Sequence, residues 1–388
     1  MGNYKKIGLR KSYLIFGAPD VGEREIAEVV DSLKSGWLST GKKVAIFESM
    51  VSKRLGVKYA KALNSCTAGL HLSLIAAGIK RGDEVITTPL TFAATANVIV
   101  HVGAKPVFVD VDRITGNIDP RLAEHAITKK TRAIIPVHLY GRPCEMDEII
   151  DIGRTFKLKI IEDAAHAFGA TYKGKPIGSI GDFTCFSFYV TKNLVTGEGG
   201  MVTTNNKKAA SLIEQYGLHG MSRGAWKRYS DHGFKHYTIE VPGYKYNMMD
   251  IQAGMGIVQL GRFNQMQKRR SAIWKRYLKE LSNLPIILPP SVPDYMTHAL
   301  HLFTILVKSE RDKIVHALHN EGIGTGIHFL SLHIHPYYRK TFGYKRKDFP
   351  NALYISDRTI SLPLSSKLTD RDVSDVVAAV RKVIAYYS

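Results

Sequence analysis

Residues 159–166 read Lys-Ile-Ile-Glu-Asp-Ala-Ala-His, and residues 184–193 read Thr-Cys-Phe-Ser-Phe-Tyr-Val-Thr-Lys-Asn. Each is a short apolar run suited to a buried strand, and each stops at a charged side chain, Asp163 in one and Lys192 in the other. Working outward, similar runs recur at 59–63, 84–88, 106–111, 132–137 and 201–204. Between them, residues 67–77, 95–101, 120–126 and 147–156 space their apolar side chains as helices do. This alternation predicts an α/β domain on a mostly parallel mixed sheet. Such sheets take ligands at the carboxyl ends of their strands, so the residues just after each run are the ones to inspect.

Downstream, residues 250–284 predict one long helix, stopped by Pro285. Leu288-Pro-Pro-Ser-Val-Pro293 reads as a break. A strand at 301–307, a helix at 310–320, a strand at 324–329 and a terminal helix from Asp370 predict a second, smaller α+β domain. The expected division is a large α/β domain over residues 1–250, then a connecting helix and small C-terminal α+β domain over 251–388. A chain of 388 residues fits that scheme better than a single core.

Composition narrows the class of protein. Hydrophobic content of 45% and charged content of 23% suit a globular chain and exclude long disorder or collagen-like repeats. No apolar stretch is long enough for a membrane span. The segment Met1-Gly-Asn-Tyr-Lys-Lys has no signal core, and Lys6 stands where a myristoylation signal needs Ser or Thr. Three cysteines, Cys66, Cys144 and Cys185, form no disulfide framework or C-x-x-C pair. A cytoplasmic protein is expected. The net charge of +20 favours anionic partners, from nucleic acid to phosphorylated small molecules. Its basic residues are scattered, and no nucleic-acid-binding motif accompanies them, so nucleic acid is not the expected partner.

Three strand-end loops carry chemistry. Asn64-Ser-Cys-Thr-Ala-Gly69 opens a helix; it is either a plain N-cap or a phosphate site built from free N–H groups and hydroxyls. Asp163 is either a turn cap or a buried carboxylate awaiting a cation, with the small Ala164 and Ala165 leaving room for something flat. Lys192 stands between an apolar strand and the turn Thr196-Gly-Glu-Gly-Gly-Met201; it is either solvated or a buried amine able to form a Schiff base. That turn is no P-loop, and Gly322-Ile-Gly-Thr-Gly326 is no dinucleotide fingerprint, because it lies between a helix and a strand. His328, His333 and His335 fit no standard metal spacing, and no metal is expected. A phosphate site at a helix start, an acid at a strand end and a later strand-end lysine are together what pyridoxal phosphate requires.

The segments Gly36-Trp-Leu-Ser-Thr-Gly41, Thr88-Pro-Leu-Thr-Phe-Ala-Ala-Thr95, Glu162-Asp-Ala-Ala-His166 and Ser187-Phe-Tyr-Val-Thr-Lys192-Asn carry a resemblance over essentially the whole chain. The sequence resembles the DegT/DnrJ/StrS sugar aminotransferases, which are fold type I pyridoxal phosphate enzymes. Pro242-Gly-Tyr-Lys-Tyr-Asn247, Gly322–Phe329 and Ser361-Leu-Pro-Leu364 are similar to the branch that makes 4-amino-4-deoxy-L-arabinose on UDP. The resemblance implies that Lys192 binds the cofactor as a Schiff base and moves protons. Asp163 would pair with the pyridinium nitrogen, and His166 would donate to the phenolic oxygen. Ala165 and Phe92 would cover the two ring faces, although Phe92 could instead be core. Thr67, Ala68 and Ser187 would hold the phosphate. His328 matches a substrate-side histidine, with His219 a second candidate. Many members carry an asparagine at the position of Lys245 that reaches the partner subunit's phosphate. Here the asparagine falls at Asn247, so Lys245 and Asn247 are joint candidates. The implied activity is amino transfer from glutamate to a nucleotide-linked keto-sugar by a homodimer with shared active sites. A dehydratase of the same fold, which carries histidine in place of the lysine, and a non-catalytic regulator are the alternatives.

Overall fold

The computed structural model describes residues 10, 12–222 and 237–387; the N-terminal segment 1–6 read above lies outside them. Helices α1 (Glu23–Lys34) and α2 (Lys42–Leu55) precede β1 (Tyr59–Leu63) and α3 (Cys66–Ala76). Then come β2 (Glu84–Thr87), α4 (Ala93–His101), β3 (Lys105–Phe108), α5 (Pro120–His125), β4 (Thr131–Ile134), α6 (Met146–Phe156) and β5 (Lys159–Asp163). Short β6 (Thr171–Tyr172) and β7 (Lys175–Pro176) lead to β8 (Phe183–Ser187), β9 (Gly200–Thr204) and α7 (Lys207–Gly217). The remainder is α8 (Asp250–Leu281), β10 (Met296–Thr297), β11 (Phe303–Leu306), α9 (Arg311–Asn320), α10 (Pro336–Phe342), α11 (Pro350–Ser356), β12 (Thr359–Leu362) and α12 (Asp370–Tyr387).

The main sheet has seven strands in the order β1-β9-β8-β5-β4-β2-β3. The run from β8 to β3 is parallel, and β9 is antiparallel to both β8 and β1. Side chains alternate across it. On one face Ile161, Phe183, Cys185 and Val202 pack with α3, α4 and α7. On the other, Ile160 and Phe186 pack with α2, α6 and α8. Both faces are therefore dry, which is why these strands read as continuous apolar runs. The same alternation sends Glu162 and Asp163 to opposite faces. Glu162 is fully buried against Gly181 N, the Thr184 hydroxyl and His138 Nε2, at 2.8, 2.6 and 2.8 Å. Asp163 faces α3 and α4.

A second core joins the C-terminal half of α8 to β11, α9, β12 and α12. Here one expectation fails: residues 324–329 form no strand. Only an isolated bridge joins Gly326 to Ser361, and β11 pairs instead with β12. The glycines there answer to close approach. A Cβ on Gly324 would lie 2.7 Å from both Leu14 O and Phe16 N. The strand runs read at 84–88, 106–111 and 132–137 also end earlier, at Thr87, Phe108 and Ile134.

Candidate functional site

Asp163 ends β5, next to the end of β8, with Cys185 opposite it in register. It is 5% exposed. Its Oδ2 accepts from the Thr95 hydroxyl at 2.7 Å and its Oδ1 from Ala165 N at 3.2 Å. Burial pushes its carboxyl above the usual range, while those two donors and the Lys192 cation pull the other way. The plain turn-cap reading is too small: Asp163 is a buried acid with cationic company.

Lys192 lies in the loop that carries β8 over to β9. The loop is closed beneath it by Phe188 N on Gly199 O (2.9 Å) and Thr196 N on Phe188 O (2.8 Å). A Cβ on Gly17 would meet Thr191 Cγ2 at 2.9 Å, so the N-terminal segment is pressed onto this turn. Burial lowers the Lys192 pKa to about 8, against smaller raising effects from Cys66 and Asp163. Among the described residues no hydrogen bond or ion pair engages its Nζ. A partly dry amine with a lowered pKa and no fixed partner is a nucleophile in waiting.

Beside it, α3 begins. The Ser65 side chain caps the helix by accepting from Ala68 N at 3.1 Å. Thr67 is exposed in the first turn and Ala68 is buried. Ser187 ends β8 opposite Gly200 of β9. A Cβ on Gly200 would stand 2.3 Å from Ser65 C and 2.5 Å from Cys66 N. Glycine there lets the sheet approach the helix N-terminus, and the resulting cradle of amides and hydroxyls has the donor set that suits a phosphate.

The remaining walls are imidazole and phenyl rings. Tyr140 N donates to His166 Nδ1 at 3.2 Å. Burial, with Lys192 and His328 nearby, holds His166 well below the usual histidine range, so it is neutral. Its proton is therefore on Nε2, which remains a donor for a ligand oxygen. His166 stacks on Phe329 with ring centroids 5.8 Å apart. Phe329 in turn lies 5.9 Å from Phe92. Phe92 is 62% exposed, which dismisses it as core and leaves its face open to a flat ligand. Ala165, half-buried, follows Asp163 beneath. His328 is half-buried, bonded through Nδ1 to Ser361 Oγ at 2.8 Å, and burial lowers its pKa to about 4.

The structure thus gathers Asp163, Ala165, His166, Lys192, His328 and Phe92, with the Thr67–Ala68 and Ser187 cradle alongside. It does not bring Lys245, Asn247 and His219 into that cluster. Asn247 bridges to Leu63 and gives its Nδ2 to Thr40 Oγ1 at 2.8 Å. Lys245 is exposed and pairs through its backbone with Leu218. His219 is exposed, at a φ of 55°, with its backbone N on Tyr244 O. Among the described residues no group of three or more His, Cys, Asp or Glu side chains could hold a metal, and no helix is long and apolar enough to cross a membrane. Sequence reasoning missed Thr95, Asn193 and His301. Asn193 adjoins Lys192 and could have been found; Thr95 and His301 are distant in the chain.

A doubly covered α/β sheet whose strand ends present a buried acid, a low-pKa lysine, a phosphate cradle and a ring slot defines the fold type I pyridoxal phosphate enzymes, and the residues present fit that cofactor. Residues 19–381 match the DegT/DnrJ/EryC1/StrS aminotransferase family, and the chain belongs to it. It is 55% identical to the uncharacterized protein MJ1066 of Methanocaldococcus jannaschii, over 97% of this chain and 99% of that one. It is 50% identical to the spore coat polysaccharide biosynthesis protein SpsC of Bacillus subtilis, over 97% and 98%. The PLP-form of the putative sugar aminotransferase Spr1654 from Streptococcus pneumoniae superposes with a TM-score of 0.90 at 35% identity, covering 97% of this chain and all of that one.

Proposed function

We propose that this aminotransferase converts a nucleotide-linked keto-sugar, of the UDP-4-keto class, to an amino sugar, with glutamate as donor. The observation that carries the reading is the pairing of buried Asp163 with an uncommitted Lys192 whose pKa is lowered to about 8. Bound pyridoxal phosphate supplies an electron sink and a carrier for the amino group. Asp163 holds the pyridine nitrogen protonated through a charge-assisted bond. His166 donates Nε2–H to the phenolic oxygen, Phe92 and Ala165 cover the ring faces, and Thr67, Ala68 and Ser187 hold the phosphate. Lys192 binds the cofactor covalently and, as a free amine, takes the proton from the donor's α-carbon; a base poised near neutrality suits that work. His328 faces the sugar, whereas His219 stands apart from that cluster within one chain and is assigned, with Lys245 and Asn247, to the site of a second copy.

Lys245 and Asn247 are assigned to a second copy's phosphate in a homodimer. The large domain, 1–250, holds the cofactor, and 251–388 closes over it. The name of SpsC and the sugar aminotransferase neighbour support a sugar substrate for polysaccharide synthesis. The net charge of +20 supports an anionic one. The test is a panel of UDP-, GDP- and dTDP-keto-sugars with glutamate, following release of 2-oxoglutarate. Release with none of them, from protein shown to hold pyridoxal phosphate, would overturn the assignment.

A further inference from the structure

Behind His166 lies a second buried imidazole with no part in the reading above. His301 is 2% exposed and its ring centroid is 4.6 Å from that of His166. Its Nδ1 lies 3.1 Å from Asn193 Oδ1. Asn193 spends its own Nδ2 on Ala299 O at 2.6 Å and Gln267 Oε1 at 3.4 Å, so it faces His301 with its oxygen. His301 is therefore the donor, through Nδ1–H. Gln267 Nε2 reinforces the arrangement on Ala299 O at 2.9 Å. From the far side comes Arg270 of α8, 4% exposed. Its Nη1 contacts the carbonyls of Leu300, His301 and Leu364 at 3.3, 3.3 and 3.0 Å, while its Nε has no partner among the described residues.

Burial, with Lys192, His166, Arg270 and His328 around it, holds His301 well below the usual histidine range. It is a neutral donor with one fixed tautomer. The acceptor it serves belongs to the residue that follows Lys192. A buried amide oxygen left without a donor is expensive, so this bond resists opening.

We propose that His301 is a positioning residue for Lys192: by donating to Asn193 it clamps the Lys192–Asn193 turn to the Ala299–His301 segment and keeps the reactive amine in its partly dry place. The proposal rests on the functional reading only in taking Lys192 as the reactive amine.

The test uses cofactor-free full-length protein. Lys192 is labelled with a lysine-directed acylating reagent across a pH series, and its labelling midpoint is read by peptide mass spectrometry. The wild-type midpoint is expected at about 8. His301→Phe keeps the bulk but gives Asn193 no donor; the turn loosens, water reaches the amine, and the midpoint should rise by about one unit or more toward its ordinary value. His301→Gln retains an N–H for Asn193 and should restore the wild-type midpoint. Asp163 on β5, Cys66 on α3, His166, His328 and Arg270 face the same space and are unchanged in both variants. A His301→Phe midpoint equal to wild type, or a His301→Gln midpoint that rises as far, overturns the clamp. If His301→Phe does not fold, Asn193→Ala removes the acceptor instead: a raised midpoint supports the proposal and an unchanged one overturns it. Capture of pyridoxal phosphate by wild-type protein, seen as a visible absorption band, is scored separately. Its failure would remove the functional reading and leave the labelling result standing.

Discussion

Asp163 and Lys192 are the residues to which the proposed chemistry is assigned, and both were legible because each closely follows a buried apolar run. Their support was not. Thr95, which donates to Asp163 at 2.7 Å, is 68 positions away in the chain; only the fold makes them neighbours. Asp163→Asn keeps the shape but removes the charge that, in the proposed function, would hold a pyridine nitrogen protonated. The turnover rate should fall by about 10²–10⁴, as for other preorganised electrostatic groups. An unchanged rate, measured on cofactor-loaded variant, would reduce Asp163 to a turn cap. Lys192 makes a second prediction. Burial lowers its pKa to about 8, so the ammonium persists below that pH and the nucleophilic amine dominates above it. Capture of pyridoxal phosphate by the cofactor-free protein should therefore rise with pH and level off above about 8. A curve still climbing toward the ordinary amine value of 10.5 would mean the lysine is solvated.

Among the elements, α2 depends on a residue from another helix. Its N-terminus has no side-chain cap of its own. Instead Asp250, the first residue of α8, accepts from Gly41 N and Val44 N through Oδ1 at 2.8 and 3.0 Å, and from Lys43 N through Oδ2 at 3.2 Å. The fit leaves no space for a side chain at Gly41. A Cβ there would lie 2.6 Å from Asp250 Oδ2, and closer still to Trp37 Nε1. Gly41→Ala should therefore destabilise the protein by about 1–3 kcal/mol, the usual cost of overpacking, seen as a lower urea midpoint. An unshifted midpoint would show that Trp37 can simply move. This gives the Gly36–Gly41 segment a physical meaning that spacing alone could not supply. The same limit explains which elements were readable. The seven strands of the main sheet are dry on both faces and announce themselves; β6, β7, α1 and α2 were not read, and β12 was quoted only as a similar segment. The expected strand at 324–329 was lost because its glycines serve close packing against residues 14–16, which no periodicity reports.

At the scale of the whole molecule, what needs explaining is why Lys245, Asn247 and His219 stand apart from the residues they were expected to join. Asn247 and Thr40 line a cavity of about 280 Å³ with Gly41, Glu48, Lys61, Leu63 and Leu218, on the far side of β1 from Lys192. The proposed homodimer makes sense of that placement: a symmetric pair can set one chain's Lys245–Asn247 loop against its partner's phosphate cradle, because a two-fold contact always meets its copy. The prediction uses two inactive variants, Lys192→Ala and the double Lys245→Ala/Asn247→Ala. Lys192→Ala should fold and lose turnover, since among the described residues no other amine lies in the cluster. In a mixed dimer one shared site carries both lesions and the other carries neither. Coexpressed or subunit-exchanged protein should recover activity, approaching one working site per heterodimer. The loop variant must be inactive and still dimeric by light scattering for the result to bear on site sharing. With that met, heterodimers confirmed by differential tagging that stay inactive would place each complete site within one chain, and Lys245 and Asn247 would then be scaffolding for β1 and Thr40.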